Sequence, residues 1–457
     1  MNFLEVAKKI TSIESSPFVG TKDVVNYLSD YINSNVGLKN EVIPSVGQSD
    51  IESNILVKFG ESGSEEKALL LLTHLDTTDP GSYGHWDKTQ GNPFSLSIYG
   101  DELYGLGVTN KLDFICKLEA LNSYKEKQFK KPVYLLGTHS EENGLIGTSE
   151  FLKEYSNSID MALVSHPTDL NLYNEGLGIA VVEIEIPFSE DEKKFHQDHN
   201  SADNSFTQSK VFRGKSAHSS LAGESESAIV KLFDFLEKMP SVAIMNVDGG
   251  VLHNTIAEHS LIEFVPSGSI RENITDKLLF VYRELTKLKE KFRQYPHNGF
   301  ATKFSTLNIG KIRSSKLGVV ITGNCRLLPS VPEKEYRSWI LELKQACSKV
   351  NSKFSLKRYI PSYNQNLDIS FAKKAYSVAE SNGLNKGEIK SSPICTEANL
   401  MKSYNIDCLL FGAGLGLGNS HQPNESISLS ALKKSTEFYK ELIGPVSYTH
   451  LTLPTKA

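Results

Sequence analysis

The strongest constraint on the fold comes from residues 68–76 (ALLLLTHLD), an apolar run that ends at His74 and Asp76. A short aliphatic run of this kind predicts a strand buried on both faces, in the middle of a mostly parallel sheet. Ligands bind at the carboxyl ends of such strands. Because residues i and i+2 lie on one side of a strand, we expect Asp76 to reach the His74 ring and set its tautomer. Taken alone, the pattern also fits a strand that ends in a polar turn.

A second apolar run, residues 132–138 (PVYLLGT), leads into the acidic pair Glu141 and Glu142. Adjacent carboxylates repel one another unless a cation or a shared proton offsets their charge. One of them could ligate a metal ion while its neighbour acts as a general base on metal-bound water. A solvated helix N-terminus explains the pair equally well by itself. Two strands that end in this way favour a metal site.

Composition narrows the class of protein. A chain of 457 residues exceeds what one core usually supports, which predicts two domains or one elaborated domain. The formal charge of −5 shows no excess of basic residues for binding nucleic acid. The apolar runs are too short to span a membrane. Residues 1–14 form an amphipathic pattern, not a secretion signal, and five scattered cysteines form no disulfide framework. We therefore expect a cytoplasmic protein.

The order of patterns predicts an α/β fold with an insertion. Helical and strand patterns alternate as far as residue 165, which indicates a mostly parallel sheet flanked by helices, and Asn110 is expected to cap a helix that runs to about residue 127. Alternating strands then indicate an α+β domain at residues 179–362, between catalytic segments 1–178 and 363–443. We expect a mobile surface loop at residues 187–210 and a non-native tail at residues 446–457, whose sequence resembles a translated sequencing adapter.

An ordered set of motifs resembles the M20 metallopeptidase family, with particular similarity to its acetylornithine deacetylase branch. The motifs are THLDT, LYGLG, HSEEN, SHPT, GKSAHSS, STLNIG, RLLP, CTEA and HQPNE, and the likeness covers nearly all of residues 1–443. It implies a catalytic domain with a two-metal site, usually zinc and otherwise cobalt or another divalent metal, and a ferredoxin-like lid that forms a homodimer. It also implies hydrolysis of an N-acyl amino acid or a dipeptide, within amino-acid metabolism such as arginine biosynthesis.

The resemblance implies roles for five residues of the metal site. His74 ligates one metal and Asp76 orients it. Glu142 and His421 hold the other metal, and Glu141 is the general base on the metal-bound water.

Four further residues acquire roles on the substrate side from the resemblance. His218, contributed by the lid of the partner, would stabilise the oxyanion, and Arg326 would clamp the substrate carboxylate through a bidentate pair. Glu397 would line the pocket. Asn254 is a substitute for a lid asparagine of the family. Without the resemblance, Arg326 fits a surface arginine and His218 a residue at a helix start.

The chain departs from the family pattern at two metal ligands. Asn110 stands where the bridging aspartate is expected, and His166 stands where an acidic ligand precedes Pro-Thr. Of three expected carboxylates only Glu142 remains. A neutral amide bridges two metals poorly, whereas His166 can ligate zinc through nitrogen. The lysine that usually follows the bridging aspartate is also missing, although Asp113 offers an unorthodox carboxylate nearby.

These departures leave three hypotheses open. The first is an active hydrolase with a rebuilt, mononuclear zinc site, held either by Glu142 and His421 with a helper or by His74 and His166 with Asp76. The second is a catalytically disabled relative that acts as a binding or structural dimer. The third is a dipeptidase or aminopeptidase on the same scaffold.

Overall fold

The computed structural model describes residues 2–47, 50–60, 66–126, 129, 131–201, 207–217, 219, 225–239, 242–266, 273–384, 390–416 and 418–447. The chain divides into two compact units. The first comprises Met1–Glu175, Tyr363–Ser391 and Thr396–Ala457, and the second comprises Gly176–Ser362 and Ser392–Cys395.

The described helices are α1 (Phe3–Ser12), α2 (Lys22–Tyr31), α3 (Val108–Asn122), α4 (Ile146–Tyr155), α5 (Glu190–Ser201), α6 (Ala228–Lys238), α7 (Ile274–Phe292), α8 (Glu333–Lys349), α9 (Ser370–Ser381), α10 (Glu397–Ser403) and α11 (Leu429–Ser447). The described strands are β1 (Asn40–Pro44), β2 (Ser53–Phe59), β3 (Ala68–His74), β4 (Ser97–Tyr99), β5 (Glu102–Tyr104), β6 (Val133–Thr138), β7 (Ile159–Ser165), β8 (Tyr173–Gly176), β9 (Gly178–Pro187), β10 (Gln208–Arg213), β11 (Val242–Gly249), β12 (His259–Pro266), β13 (Thr306–Ser315), β14 (Gly318–Leu327), β15 (Lys353–Ile360), β16 (Tyr363–Asn364), β17 (Lys390–Ser392), β18 (Asp407–Phe411) and β19 (Ser426–Ser428).

The first unit is built on a mixed sheet with strand order β1-β2-β6-β3-β7-β18-β8-β16, and β17 pairs with β8. The central strands β6, β3, β7 and β18 are parallel, whereas β1–β2 and β2–β6 are antiparallel. Every residue of β3 is buried. Leu69 and Leu71 pack with α1, α2, α3, α9 and α11, while Leu70 and Leu72 pack with α4 and α10 on the other face. The predicted α/β class and the doubly covered strand are confirmed.

Helix α3 begins earlier than the sequence predicted. Asn110 is the third residue of the helix and does not cap it, because the chain enters the helix through Gly107 in the left-handed conformation, with φ of +79°. A Cβ atom on Gly107 would lie 2.5 Å from the Cγ2 atom of Thr77, so only glycine fits there. The prediction of Asn110 as the N-cap is therefore wrong, and the residue faces inward from the first helical turn.

The second unit is an antiparallel sheet with strand order β10-β12-β11-β13-β14-β9-β15. Helices α6, α7 and α8 share one apolar core with Ile184, Ile186 and other inward residues of the sheet. The alternate residues Glu183 and Glu185 of β9 instead form ion pairs with lysines of β15, each at 2.8 Å. This pattern agrees with the predicted α+β arrangement, in which one sheet face is polar.

The predicted surface loop at residues 187–210 is wrong, because α5 occupies much of it. Ser189 and Glu192 form a reciprocal cap: Ser189 N donates to Glu192 Oε2 at 2.8 Å, and Glu192 N donates to Ser189 Oγ at 3.2 Å. Glu192 Oε1 also accepts from the Ile274 N–H group at 2.6 Å, at the start of α7. The Ser-x-x-Glu spacing is a helix signal that the overall polarity of the segment obscured.

At the other end of the chain, α11 continues to Ser447, beyond the predicted end at residue 443. Residues 448–457 lie outside the described residues, so the non-native tail stays a prediction. Within the described ranges, no helix combines the length and the apolarity that a membrane crossing requires.

Candidate active site

His74 lies at the carboxyl end of β3 and is held by Asp76. Both residues are 4% exposed. The His74 Nδ1 atom lies 3.1 Å from the Asp76 backbone oxygen and 3.4 Å from Asp76 Oδ1. Although burial disfavours the charged ring, the Asp76 contact and the nearby Glu141 and Glu142 carboxylates raise the pKa of His74 well above its usual value. With Nδ1 directed at Asp76, Nε2 is the ring atom available to a ligand.

Glu141 and Glu142 lie on the loop after β6, directly beside His74. One ligand atom from each of His74, Glu141 and Glu142 lies within 4.8 Å of the other two. The Glu142 N–H group donates to Asp76 Oδ2 at 3.0 Å, which ties the loops after β3 and β6 together. Burial, and then repulsion from Glu142, raises the pKa of Glu141 well above its ordinary value.

The loop that carries these carboxylates is anchored from behind by buried polar groups. His139 N donates to Asn54 Oδ1 at 3.0 Å, and Ser140 Oγ donates to Glu52 Oε1 at 3.0 Å. The His139 ring lies 3.3 Å from Glu150 Oε2. These contacts position the backbone just before the Glu141–Glu142 pair.

His421 closes another side of the site. Its Nε2 atom lies 2.7 Å from Glu142 Oε1, and this contact raises the pKa of His421. Four residues later, the buried Glu425 Oε1 atom accepts hydrogen bonds from Thr109 N at 3.0 Å and Thr109 Oγ1 at 2.7 Å. Glu425 thereby fixes the first turn of α3 next to Asn110. No role was predicted for Glu425, although it lies in the HQPNE motif, four residues after the candidate ligand His421.

Of the two residues that depart from the family pattern, Asn110 lines the cavity of this site, and His166 follows the neighbouring strand β7. Asn110 is 5% exposed and lines the same cavity as His74, Glu142 and His421. Its Oδ1 atom has no hydrogen-bond partner within the described part of the chain. His166 directly follows β7, and burial together with the nearby His74 and His421 rings lowers its pKa to about 3. A neutral imidazole is the form that binds metals.

Two other carboxylates have different surroundings. Asp113 is not available as a metal ligand, because it pairs with Lys117 at 3.2 Å and accepts from the Tyr439 hydroxyl at 2.7 Å. Glu397, at the start of α10, is 1% exposed, and neither carboxylate oxygen has a hydrogen-bond partner among the described residues. Burial raises the pKa of Glu397 to about 7. Its expected contact with substrate stays a prediction.

The remaining predicted residues belong to the second unit. Arg326 lies on β14 opposite Thr306 of β13, is 8% exposed, and burial lowers its pKa. The backbone oxygen of Asn254 accepts from the Ser219 N–H group at 3.0 Å. His218 lies outside the described residues. The substrate roles of these three residues stay predictions.

The cluster in the first unit has the chemistry of a divalent-cation site. It brings together ligand atoms of His74, Glu141 and Glu142, the His421 ring against Glu142, and the unpartnered buried oxygen of Asn110. Nitrogen and carboxylate donors suit zinc and related metals. Such a cation would offset the repulsion between Glu141 and Glu142, in addition to the His74 and His421 rings beside them.

Comparisons with known proteins find relatives in sequence and similar folds among solved structures. The chain is 24% identical to an acetylornithine deacetylase from Aliivibrio salmonicida over 446 residues, which cover 95% of this chain and 94% of that protein. The fold is similar to that of the aminoacylhistidine dipeptidase from Vibrio alginolyticus, with a TM-score of 0.66, 16% identity, and coverage of 100% of this chain and 97% of that chain. It is also similar to the Bacillus subtilis YXEP protein, a dinuclear metal binding peptidase, with a TM-score of 0.53, 12% identity and 97% coverage of both chains.

A family model supplies the assignment. The model of peptidase family M20/M25/M40 matches residues 70–444, a span that contains every candidate ligand of the cluster. This chain therefore belongs to the M20/M25/M40 peptidase family.

Proposed function

We propose that the chain is a zinc-dependent hydrolase that cleaves the amide bond of an N-acyl amino acid, with Glu141 as the proton acceptor. The observation that carries the proposal is the placement of Glu141 and Glu142 against His74, with ligand atoms within 4.8 Å. A cation held there would polarise the amide carbonyl and acidify a water molecule. The acetylornithine deacetylase relatives support the N-acyl amino acid class.

Glu141 is better placed than Glu142 to move the proton. Glu142 already has two partners, because its carboxylate pairs with His421 and its N–H group donates to Asp76. Burial raises the pKa of Glu141 well above its ordinary value, which makes it a stronger base for accepting and then returning a proton. Glu141 would take a proton from the attacking water and deliver it to the leaving nitrogen.

On the substrate side, we propose that Arg326 binds the free α-carboxylate through two parallel hydrogen bonds. Asn254, His218 and Glu397 are proposed to contact the acyl and side-chain parts of the substrate, with His218 stabilising the developing oxyanion. These assignments rest on the family resemblance. Blocking the substrate carboxylate as an amide tests the Arg326 role, because the blocked compound should lose affinity if that pairing exists.

The decisive experiment is turnover of a panel of N-acetyl amino acids, including N-acetylornithine, by the zinc-loaded protein. Glu141→Gln should lower kcat by about 10²- to 10⁴-fold with little change in KM, because it removes proton transfer and not binding. Glu154→Gln is the matched control, since this side chain is exposed on α4. A Glu141→Gln enzyme with undiminished kcat would contradict the role. Absence of turnover by the unmodified protein would favour a disabled relative that only binds.

A dipeptidase activity is the second candidate, because the aminoacylhistidine dipeptidase shares the fold along the whole chain. Dipeptides in the same assay separate the two. A higher kcat/KM for dipeptides than for N-acetyl amino acids would select this alternative. The Glu141→Gln effect is expected in either case, since both reactions hydrolyse an amide.

We also propose a homodimer formed through the second unit. Its outermost strand β15 and the adjacent α8 expose Leu356 and Leu341, at 41% and 54%. Sedimentation of the unmodified protein should give twice the mass of the chain, and Leu356→Glu should reduce it. A monomer at micromolar concentration would contradict the proposal.

A further inference from the structure

The polar face of the second sheet carries two arginines, one on each side of β9. Strand β9 lies between β14 and β15, and Val181 is opposite Asn324 on one side and Arg358 on the other. Residues directly opposite one another in a sheet share a face, and so do residues i and i+2 of one strand. Arg326, two residues after Asn324, therefore lies on the same face as Arg358.

This shared face is the one without helices. Tyr359, next to Arg358, faces the helices, because the Arg337 guanidinium of α8 lies 5.5 Å from the centre of its ring. Since successive side chains of a strand alternate, Arg358 lies on the opposite face. Neighbouring strands are about 4.8 Å apart, so β14 and β15 are separated by about 10 Å across β9. Two extended arginine side chains can close most of that distance and contact one ligand.

A histidine adds a third basic group beside β13. Asn308 of β13 is opposite Asn324, and its Nδ2 atom donates to the His253 carbonyl at 3.1 Å. This hydrogen bond holds His253 beside the same face. Burial, and then repulsion from Arg326 and Arg358, lowers the pKa of His253. Repulsion from Arg358 also acts on Arg326. The three basic groups therefore lie within electrostatic range of one another.

The two carboxylates of β9 on this face already have cationic partners. Glu183 pairs with Lys357 at 2.8 Å. Glu185 pairs with Lys353 at the same distance of 2.8 Å. In contrast, the Arg358 guanidinium forms no hydrogen bond or ion pair with any residue that the structure describes. Positive groups that are brought together without an opposite charge favour the binding of an anion. This part of the sheet therefore has the character of an anion site.

We propose that Arg358, beside Arg326 and His253, binds a second anionic group of the substrate, so that the preferred amides are N-acyl amino acids with two carboxylates. Arg326 would bind the α-carboxylate, and Arg358 would bind a carboxylate of the side chain or of the acyl group. A side-chain ammonium, as in N-acetylornithine, would instead be repelled by Arg358. The inference rests on the proposed function, since it specifies which N-acyl amino acids the hydrolase prefers.

The test compares substrates of similar shape that differ by one carboxylate. One pair is N-acetylglutamate and N-acetylglutamine, and the other is N-succinylalanine and N-butyrylalanine. With the zinc-loaded, full-length protein, we expect kcat/KM to be at least about 10-fold higher for the diacid of one pair. A preference for N-acetylglutamate would place the second carboxylate in the side chain. A preference for N-succinylalanine would place it in the acyl group.

Variants at Arg358 separate binding of this carboxylate from a structural role. Arg358→Gln should raise KM for the preferred diacid by at least about 10-fold and change kcat/KM for its neutral partner by less than about twofold. A purely structural role would lower kcat/KM for both compounds. Arg358→Lys, which keeps the charge, should retain part of the preference. The control is Arg283→Gln, because Arg283 is 62% exposed on α7 and pairs with Glu237.

Equal kcat/KM within both pairs, or an undiminished preference in Arg358→Gln, would overturn the inference. Calorimetry with the Glu141→Gln protein measures binding of the same four compounds without turnover, and equal affinities within both pairs would also overturn it. Tighter binding of a diacid that is lost in Glu141→Gln/Arg358→Gln, without hydrolysis of any amide by the unmodified protein, would refute the proposed function alone. Hydrolysis with no preference for a second carboxylate would refute this inference alone.

Discussion

Glu425 shows how a single buried side chain can set the position of another. Its carboxylate holds both the N–H group and the hydroxyl of Thr109, immediately before Asn110, and it is 2% exposed. Burial raises the pKa of Glu425, whereas the Thr109 hydrogen bonds oppose that rise. We interpret Glu425 as a positioning residue for the start of α3 and for the cavity wall that Asn110 forms.

Replacing Glu425 should therefore affect metal binding without removing a ligand. We expect Glu425→Ala to weaken zinc affinity by about 10- to 100-fold, and Glu425→Gln, which keeps an acceptor for Thr109, to weaken it much less. Calorimetric titration of the chelated protein with zinc measures both. Glu437→Ala provides the control, because Glu437 is an exposed acid of α11. Equal affinities in Glu425→Ala and the unmodified protein would refute the positioning role.

At the scale of elements, α3 carries a buried ion pair that connects it to the strand ends of the site. Lys117 Nζ donates to the Leu72 carbonyl at 2.7 Å, to Thr73 Oγ1 at 3.0 Å and to Ser165 Oγ at 2.5 Å. It also pairs with Asp113, one helical turn earlier, at 3.2 Å. Thr73 and Ser165 directly precede His74 and His166. The network therefore fixes the termini of β3 and β7 relative to α3.

This arrangement predicts a non-additive effect on stability. Lys117→Met should lower the free energy of unfolding by about 3–5 kcal/mol, because it leaves Asp113 charged and unpaired in the core. The double variant Asp113→Leu/Lys117→Met should cost less than Lys117→Met alone, since it removes both charges. Urea unfolding measures each variant.

An exposed pair supplies the comparison for that experiment. Arg337 and Glu333 form an ion pair at 2.5 Å on the surface of α8, with side chains 68% and 46% exposed. Arg337→Ala should cost less than about 1 kcal/mol. If Asp113→Leu/Lys117→Met were less stable than Lys117→Met, the unpaired Asp113 charge would not be the cause of the stability lost in Lys117→Met.

At the scale of the molecule, each unit has its own core and its own tryptophan. Trp86 is buried in the first unit and Trp339 in the second, and the sequence has two tryptophans in total. Variants with a single tryptophan can therefore report the unfolding of each unit separately. All the proposed metal ligands belong to the first unit.

Zinc should accordingly stabilise the first unit, whose unfolding Trp86 reports. At a free zinc concentration of about 100 times Kd, native-state binding adds about 2.7 kcal/mol. We expect the urea midpoint of the Trp339→Phe variant, observed through Trp86, to rise with zinc and to fall on chelation. The Trp86→Phe variant, observed through Trp339, should shift less. An unchanged midpoint at Trp86 would show that the native first unit does not bind zinc.

Sequence alone determined much of the fold and predicted the location of the candidate site. The apolar runs before His74 and Glu141 identified buried strands because a strand buried on both faces cannot accept polar residues until it ends. The strand ends then marked where functional side chains gather. The insertion of one unit into another followed from the return of the first pattern after residue 368.

Only the tertiary structure decided which polar groups are partners. The hydrogen bond from Tyr439 to Asp113, and the anchoring of Thr109 by Glu425, join residues that are close in space but distant in sequence. The register of β3 against β7, which brings the Thr73 and Ser165 hydroxyls together, depends on the packing of two sheet faces. The local sequence pattern indicates which residues are buried and with what periodicity. These contacts instead depend on long-range packing, which gives each buried charge a specific partner.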